Sequence, residues 1–231
     1  MSHAAPAWPA GFAVNPRATA PDRELIEAFR RVPVAHASDC MGRAVGGLGL
    51  RAYHGSPDML MCGPALTVRV RPGDNLMIHK AMLMAEPGDV IVIDGAGDLT
   101  QAVIGGLMRT TALARHLGGF VVNGAVRDVA EWAEGEIPVY ALGHVHRGPS
   151  KEGPGEVNVP LSCAGLMVAP GDLMLGDADG VVAIPAARLR SLLPEVLAHA
   201  DKEARIRQSN QQGSADPERI DALLRAKGCP V

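Results

Sequence analysis

An arginine and an aspartate stand side by side at Arg127-Asp128, directly after Asn123-Gly124-Ala125-Val126 and three residues ahead of Glu131. A single carboxylate at the edge of a turn can hold Mg2+ or Mn2+ when water and substrate oxygens complete the shell. An adjacent guanidinium can fix a second anionic oxygen in its planar fork. The same pair also suits a plainer role, a helix cap beside a surface ion pair of small worth. Upstream lies Gly105-Gly106-Leu107-Met108. Two adjacent glycines cost a helix stability. Either they kink or closely pack one helix, or the chain breaks and a new helix starts at Gly106. In the second case the backbone N–H groups of Leu107 and Met108 face a carboxylate with no side chain in the way. A third stretch, Asp94-Gly95-Ala96-Gly97-Asp98, follows the apolar run Val90-Ile91-Val92-Ile93. A buried strand, a glycine loop and a helix start offer N–H groups to an anion. The third glycine and the acidic partner of a dinucleotide loop are missing, which speaks against a nucleotide and against a methyltransferase.

The remaining reactive residues point to less. A Schiff-base route needs a desolvated lysine, and none of Lys80, Lys151, Lys202 and Lys227 falls at a buried strand end. His36, His54, His79, His116, His144 and His146 are scattered. His144 and His146 would share a face on a strand and could pair on a metal, although rim histidines are the plainer reading. Cys40, Cys62, Cys163 and Cys229 form no CxxC pair, so reduced, mostly buried thiols are expected.

The elements that must carry these residues follow from periodicity. Residues 1–20, rich in Pro and Ala, predict an extended arm. A helix starts near Pro21-Asp22, carries Leu25, Ile26 and Phe29, and ends before Pro33. A second short helix is expected after Ser38 or Asp39, either of which can cap it. Strands over 65–70, 90–93, 120–122 and 139–142 alternate with helices over 75–85, 101–116 and 128–132. Short strands over 157–160, 166–168, 173–175 and 181–184 follow, then a charged helix over 187–209. This order predicts an α/β fold with mixed sheets. It divides the chain into an arm (1–20), one α/β domain (21–186) and a helical tail (187–231) expected at a subunit interface. Pro72-Gly73-Asp74, Pro87-Gly88-Asp89 and Pro170-Gly171-Asp172 each read as a type II turn at an element edge.

Composition bounds the function. Apolar residues are 47 % of the 231, which excludes a disordered tail protein, and aromatics are only 3 %, so the core is aliphatic. Lys+Arg 22 against Asp+Glu 25 gives a net charge of −3, without the basic excess or the stacking residues of a nucleic-acid binder. No apolar run reaches the length of about 18 residues that spans a membrane. The first 20 residues carry no Lys or Arg ahead of their apolar stretch, unlike a secretory signal. A cytoplasmic protein is expected.

Taken together, Gly63-Pro64-Ala65, Asn75, Pro87-Gly88-Asp89, Gly105-Gly106, Asn123 through Asp128 and Asp177-Ala178-Asp179-Gly180-Val181 resemble the class II 4-hydroxy-4-methyl-2-oxoglutarate/4-carboxy-4-hydroxy-2-oxoadipate aldolases, a family that also contains the regulator of ribonuclease activity A. The resemblance covers residues 34–185. The family's G-x20-R-D-x2-E/D motif is met by Gly106, Arg127-Asp128 and Glu131. The resemblance implies a layered α-β-β-α sandwich and a metal-dependent lyase. Such an enzyme cleaves 4-hydroxy-2-oxo acids to pyruvate and a second oxo acid, with oxaloacetate decarboxylation alongside. It implies Asp128 as the direct ligand of Mg2+ or Mn2+, and Arg127 as the residue that steadies the pyruvyl C2 oxygen. It further implies Gly105, Gly106, Leu107 and Met108 as a backbone cradle for the carboxylate, Asn75 as a pocket residue, and Lys151 beside the distal carboxylate. Trimers or hexamers with sites between subunits are also implied, with Asp39 or Glu203 as the acid from a neighbour. Some relatives carry aspartate where this chain has Gly106, and the arm is longer than in compact members. A non-enzymatic regulator that binds a ribonuclease-type partner is the alternative the same family allows.

Overall fold

Val90, Ile91, Val92 and Ile93 are all fully buried, yet they belong to two different cores. Successive strand side chains point to opposite faces, so an unbroken apolar run requires a sheet covered on both sides. The computed structural model describes residues 9–213 and 217–231 and bears this out. The elements in chain order are β1 (Phe12–Val14), α1 (Arg23–Phe29), α2 (Val34–Cys40), β2 (Arg51–Ala52), β3 (Met61–Val70), α3 (Leu76–Met84), β4 (Val90–Asp94), β5 (Ala102–Ile104), α4 (Gly106–Ala114), β6 (Gly119–Val126), α5 (Val129–Ala133) and β7 (Val139–His144). They continue as β8 (Gly155–Val157), β9 (Leu161–Cys163), β10 (Leu166–Val168), β11 (Leu173–Asp177), β12 (Gly180–Ile184), α6 (Leu189–Gln211) and α7 (Pro217–Ala226).

Strands β3, β4, β6 and β7 run parallel as neighbours, flanked by β8 and β1 on one side and by β2 on the other. One face, with Leu66, Val68, Ile91, Ile93, Phe120 and Val122, packs against the apolar sides of α3, α4 and α5. The opposite face, with Ala65, Val90, Val92 and Val121, packs on β9, β10 and the inward residues Met174 and Val181 of β11 and β12. The outward residues of those two strands, Leu173, Leu175, Val182 and Ile184, meet α1, α2 and α6. The result is four layers in the order α-β-β-α. Strand β3 joins the two β layers: Met61–Pro64 pair with β11, and Ala65–Arg69 pair with β4. No helix among the described residues is long and apolar enough to cross a membrane.

The structure departs from the sequence reading in several places. Residues 101–116 are not one helix. Val103 and Ile104 are β-branched and form β5 beside β6, Gly105 is extended (φ −163°), and the helix starts at Gly106. Helix α2 starts at Val34, not after Ser38. The N–H of Val34 is capped by the Asp177 carboxylate at 2.8 Å, from a residue far along the chain, and Ser38 and Asp39 lie in the last turns. The arm is not merely extended, because Phe12–Val14 pair in parallel with β8. The strand expected over 157–160 sits earlier, as β8, and the tail carries a second helix, α7. The three Pro-Gly-Asp turns do have glycines at φ 70°, 89° and 87°. Their buried aspartates Asp74, Asp89 and Asp172 accept backbone N–H groups, an outcome that leaves little room for other residues.

Candidate active site

Two adjacent parallel strands end side by side and deliver the two motifs to one place. Strand β5 leads into Gly105-Gly106 and α4, and β6 leads into Arg127-Asp128 and α5. The Arg127 N–H donates to the Ile104 carbonyl at 3.0 Å, which locks the two strand ends together. Crevices at the carboxyl ends of parallel strands are where α/β folds place ligands.

Asp128 has a left-handed backbone (φ 58°, ψ 43°) at the start of α5. In that conformation its side chain makes no cap for its own helix. Its Oδ2 instead accepts the N–H of Gly106, the first residue of α4, at 2.9 Å. Arg127 Nε lies 3.4 Å from the same oxygen, and both side chains are 38 % exposed. Oδ1 has no partner among the described residues. The glycines are required by closeness, not by φ. A Cβ on Gly105 would lie 2.5 Å from Asp128 Oδ2 and 2.9 Å from Arg127 Cγ, and one on Gly106 would lie 2.1 Å from a Glu131 oxygen. The spacing of Gly106, Arg127-Asp128 and Glu131 is thus the footprint of two helix starts pressed together. Gly148 likewise clears the Arg127 head, since a Cβ there would stand 2.8 Å from Nη1.

The cleft beside this pair has a volume of about 80 Å³ and is lined by Asn75, His79, Val103, Ile104, Gly105, Leu107, Met108, Arg127, Pro149 and Lys151. It brings together Asn75, Gly105, Leu107, Met108, Arg127 and Lys151 of the expected site; Gly106 and Asp128 do not line it, although Asp128 lies against the lining residues Gly105 and Arg127. Of the two N–H groups expected to face it, that of Met108 is spent on the Gly105 carbonyl at 3.0 Å, and that of Leu107 has no partner among the described residues. Asn75 Nδ2 donates to the Val103 carbonyl at 3.1 Å, which leaves its buried Oδ1 unpaired. His79 was not singled out by the sequence, although it stands in the first turn of α3, just after the N-cap residue Asn75. Its Nε2 is buried and unpaired. Burial, and then the charge of Lys151, pull its pKa below the ordinary imidazole value, so His79 is neutral at neutral pH.

Asp74 ties down the segment 150–153, which carries Lys151. This fully buried carboxylate accepts the Leu76 N–H at the start of α3, the Ser150 hydroxyl at 2.7 Å and the N–H groups of Glu152 and Gly153. Burial alone would raise its pKa, but these four donors outweigh burial and keep it below the usual carboxylate range.

Other expected features lie elsewhere. The Asp94–Gly97 loop offers little to an anion. Gly95 and Gly97 donate to the Asn123 carbonyl, and Ala96 donates to Asp94. Asp39 and Glu203 do not line the cleft of their own chain and instead sit with His36 and His199. His144 ends β7 and meets the Tyr53 hydroxyl, and His146 lies beyond the strand.

Fold and site together define an α-β-β-α sandwich with a cleft at the ends of parallel strands, beside which the carboxylates of Asp128 and Glu131 stand. The chain belongs to the RraA-like family, whose model, Aldolase/RraA, matches residues 34–183. It is 40 % identical over 185 residues to a Halalkalibacterium halodurans protein provisionally named 4-hydroxy-4-methyl-2-oxoglutarate aldolase, across 80 % of this chain and 88 % of that one. It is 39 % identical over 123 residues to the Thermus thermophilus 4-hydroxy-4-methyl-2-oxoglutarate aldolase, across 53 % of this chain and 74 % of that one. Among solved structures, the RNA-processing inhibitor RraA from Thermus superposes with a TM-score of 0.60 at 32 % identity, covering 66 % of this chain and 92 % of that one.

Proposed function

We propose that this chain is a divalent-metal-dependent lyase. It cleaves 4-hydroxy-2-oxo acids such as 4-hydroxy-4-methyl-2-oxoglutarate to pyruvate and a second oxo acid, and it decarboxylates oxaloacetate through the same enolate. The observation that carries this reading is the meeting of the Arg127 head and the open Leu107 N–H in one cleft, with the Asp128 carboxylate joined to Arg127 and Gly106 beside it. The aldolase names of the two sequence relatives support it.

Asp128 suits Mg2+ or Mn2+, because its Oδ1 is unpaired and its side chain is solvent-facing. Hard ions that keep most of their water need only one or two carboxylates. When bound, such an ion polarises the 2-oxo group as a Lewis acid. The chain's own residues do the rest. The Leu107 N–H and the start of α4 hold the C1 carboxylate. The Arg127 fork holds the oxygen that gains charge as the C3–C4 bond breaks, where stabilisation counts most. Asn75 Oδ1 and the neutral His79 Nε2 are placed to orient a hydroxyl or water, and Lys151 pairs with the distal carboxylate. Val103, Ile104, Met108 and Pro149 narrow the water-accessible space around the reacting carbons.

A protein-binding regulator is the second reading, favoured by the likeness to the Thermus RNA-processing inhibitor. The intact Arg127-Asp128 pair favours catalysis. A coupled pyruvate assay over a panel of 4-hydroxy-2-oxo diacids and oxaloacetate, with Mg2+ or Mn2+, separates the two. Absence of pyruvate from every member of the panel would overturn the lyase reading.

A further inference from the structure

Asp128 does not do the usual work of its position. It stands just before the first turn of α5, where an aspartate side chain ordinarily accepts N–H groups of its own helix. Here the carboxylate goes to the Gly106 N–H instead, and α5 is only five residues long. A left-handed aspartate on a single uncapped turn has little local reason to keep its shape.

The hold comes from Trp132. Helical side chains lean toward the N-terminus, so the fourth residue of α5 reaches back past Asp128. Its indole N–H donates to the Arg127 carbonyl at 2.9 Å. Its backbone N–H donates to the Asp128 carbonyl at 3.4 Å, beside that of Glu131 at 3.0 Å. One residue therefore grips the peptide groups on both sides of the Asp128 Cα, and a change in φ or ψ of Asp128 must move at least one of them. The Arg127 N–H is fixed separately on the Ile104 carbonyl at 3.0 Å. The indole is itself firmly anchored. Trp132 is fully buried, and its ring stands edge to face on Phe120 of β6, with centroids 5.7 Å apart. A buried indole N–H usually finds an acceptor. What is particular here is which acceptor it finds, the carbonyl joined directly to the candidate metal ligand.

We infer that Trp132 is a positioning residue for the site. By holding the Arg127 and Asp128 carbonyls it keeps Asp128 left-handed, with its carboxylate on Gly106 and beside Arg127, in place of the cap that α5 lacks. The effect on turnover rests on the lyase reading above; the effect on Asp128 does not.

The test uses the full chain with Trp8→Phe, so that Trp132 is its one tryptophan. The protein is prepared with tryptophan, with a ring-fluorinated tryptophan that keeps the indole N–H, and with benzothienylalanine, which keeps the fused-ring shape but has sulfur in place of the N–H. Amide exchange is followed at Gly106, whose N–H Asp128 accepts, beside the amides of β4, which report on the whole fold. With the benzothienyl ring, exchange at Gly106 should rise about tenfold or more while β4 is unchanged, as local opening does without global unfolding. The kcat for pyruvate release should fall by ~10²-fold, the effect of a misplacement of about 1 Å. The fluorinated ring should behave as tryptophan does, which a loss through packing alone would not explain. Unchanged Gly106 exchange, or unchanged turnover, with the benzothienyl ring would overturn the inference. A parent that releases no pyruvate would instead defeat the lyase reading, and Gly106 exchange would then decide the role of Trp132 by itself.

Discussion

Asp128 occupies a left-handed conformation that costs most residues about 1–2 kcal/mol and that aspartate tolerates better than most. That backbone turns the carboxylate away from its own helix and onto the Gly106 N–H. We therefore expect Asp128→Ala to lose both Mg2+ binding and nearly all turnover. Arg127→Lys should retain the metal but lose roughly 10²–10³-fold in kcat, the usual effect of removing one donor to developing negative charge. Calorimetry beside steady-state rates distinguishes the two, and a fully active Arg127→Lys would reduce the arginine to a structural partner. Gly105→Ala is the sharper probe of position. Its Cβ would press on Asp128 Oδ2, and a misplacement of about 1 Å can cost ~10²-fold in rate. A normal melting curve with lost activity is expected, and unchanged activity would contradict the close approach. At this scale the Arg-Asp pair and the glycines were legible in the sequence, because the motif fixes their spacing. Which N–H stays open was not legible, since Met108 spends its own on a local carbonyl. His79 was also missed, because one histidine among several carries no motif.

The elements meet where β5 and β6 end together, and the sequence hid this. Residues 101–116 have helical spacing, but Val103 and Ile104 gain more from pairing with β6 and burying both faces than from a helical turn. The start of α2 was equally hidden, because its cap comes from Asp177. The Pro-Gly-Asp turns were legible as turns, yet the work of Asp74 in tying residues 150–153 to α3 is a tertiary fact. Asp74→Asn is expected to destabilise the fold by on the order of 2–3 kcal/mol, as donors to a buried charge lose their acceptor. It should also raise KM for diacid substrates by loosening Lys151. The Asp74 carboxyl titrates below its unfolded value of about 3.9. Its stabilisation is therefore complete above that pH and disappears as pH falls through the lower folded value. The gap in Tm between parent and variant should be constant from pH 7 to 5 and close in stronger acid. A gap independent of pH down to acid unfolding would refute this role.

For the whole molecule, composition and periodicity anticipated an aliphatic core and an α/β fold with mixed sheets, the family resemblance implied the layered sandwich, and the layers follow from strands buried on both faces. Assembly follows less directly. Leu107 at the cleft mouth is 84 % exposed, and Phe12, Leu48 and Met167 are also largely exposed. Helix α7 leaves Ile220 and Leu223 half-exposed. Apolar side chains of this number on one small chain suit contacts between copies. We expect a trimer or hexamer of the 24.1 kDa chain by light scattering, and a monomer at working concentration would contradict it.

The proposed lyase reaction joins one carboxylate, one guanidinium and one helix start at the ends of β5 and β6 to a divalent ion. The most direct measurement is pyruvate release from 4-hydroxy-4-methyl-2-oxoglutarate by the chelator-treated chain, before and after Mg2+ or Mn2+ is restored, in parallel with Asp128→Ala. Activity is expected to vanish with chelator, to return with either ion in the parent, and to stay absent in the variant. Full activity without metal, or metal-restored activity in Asp128→Ala, would contradict it.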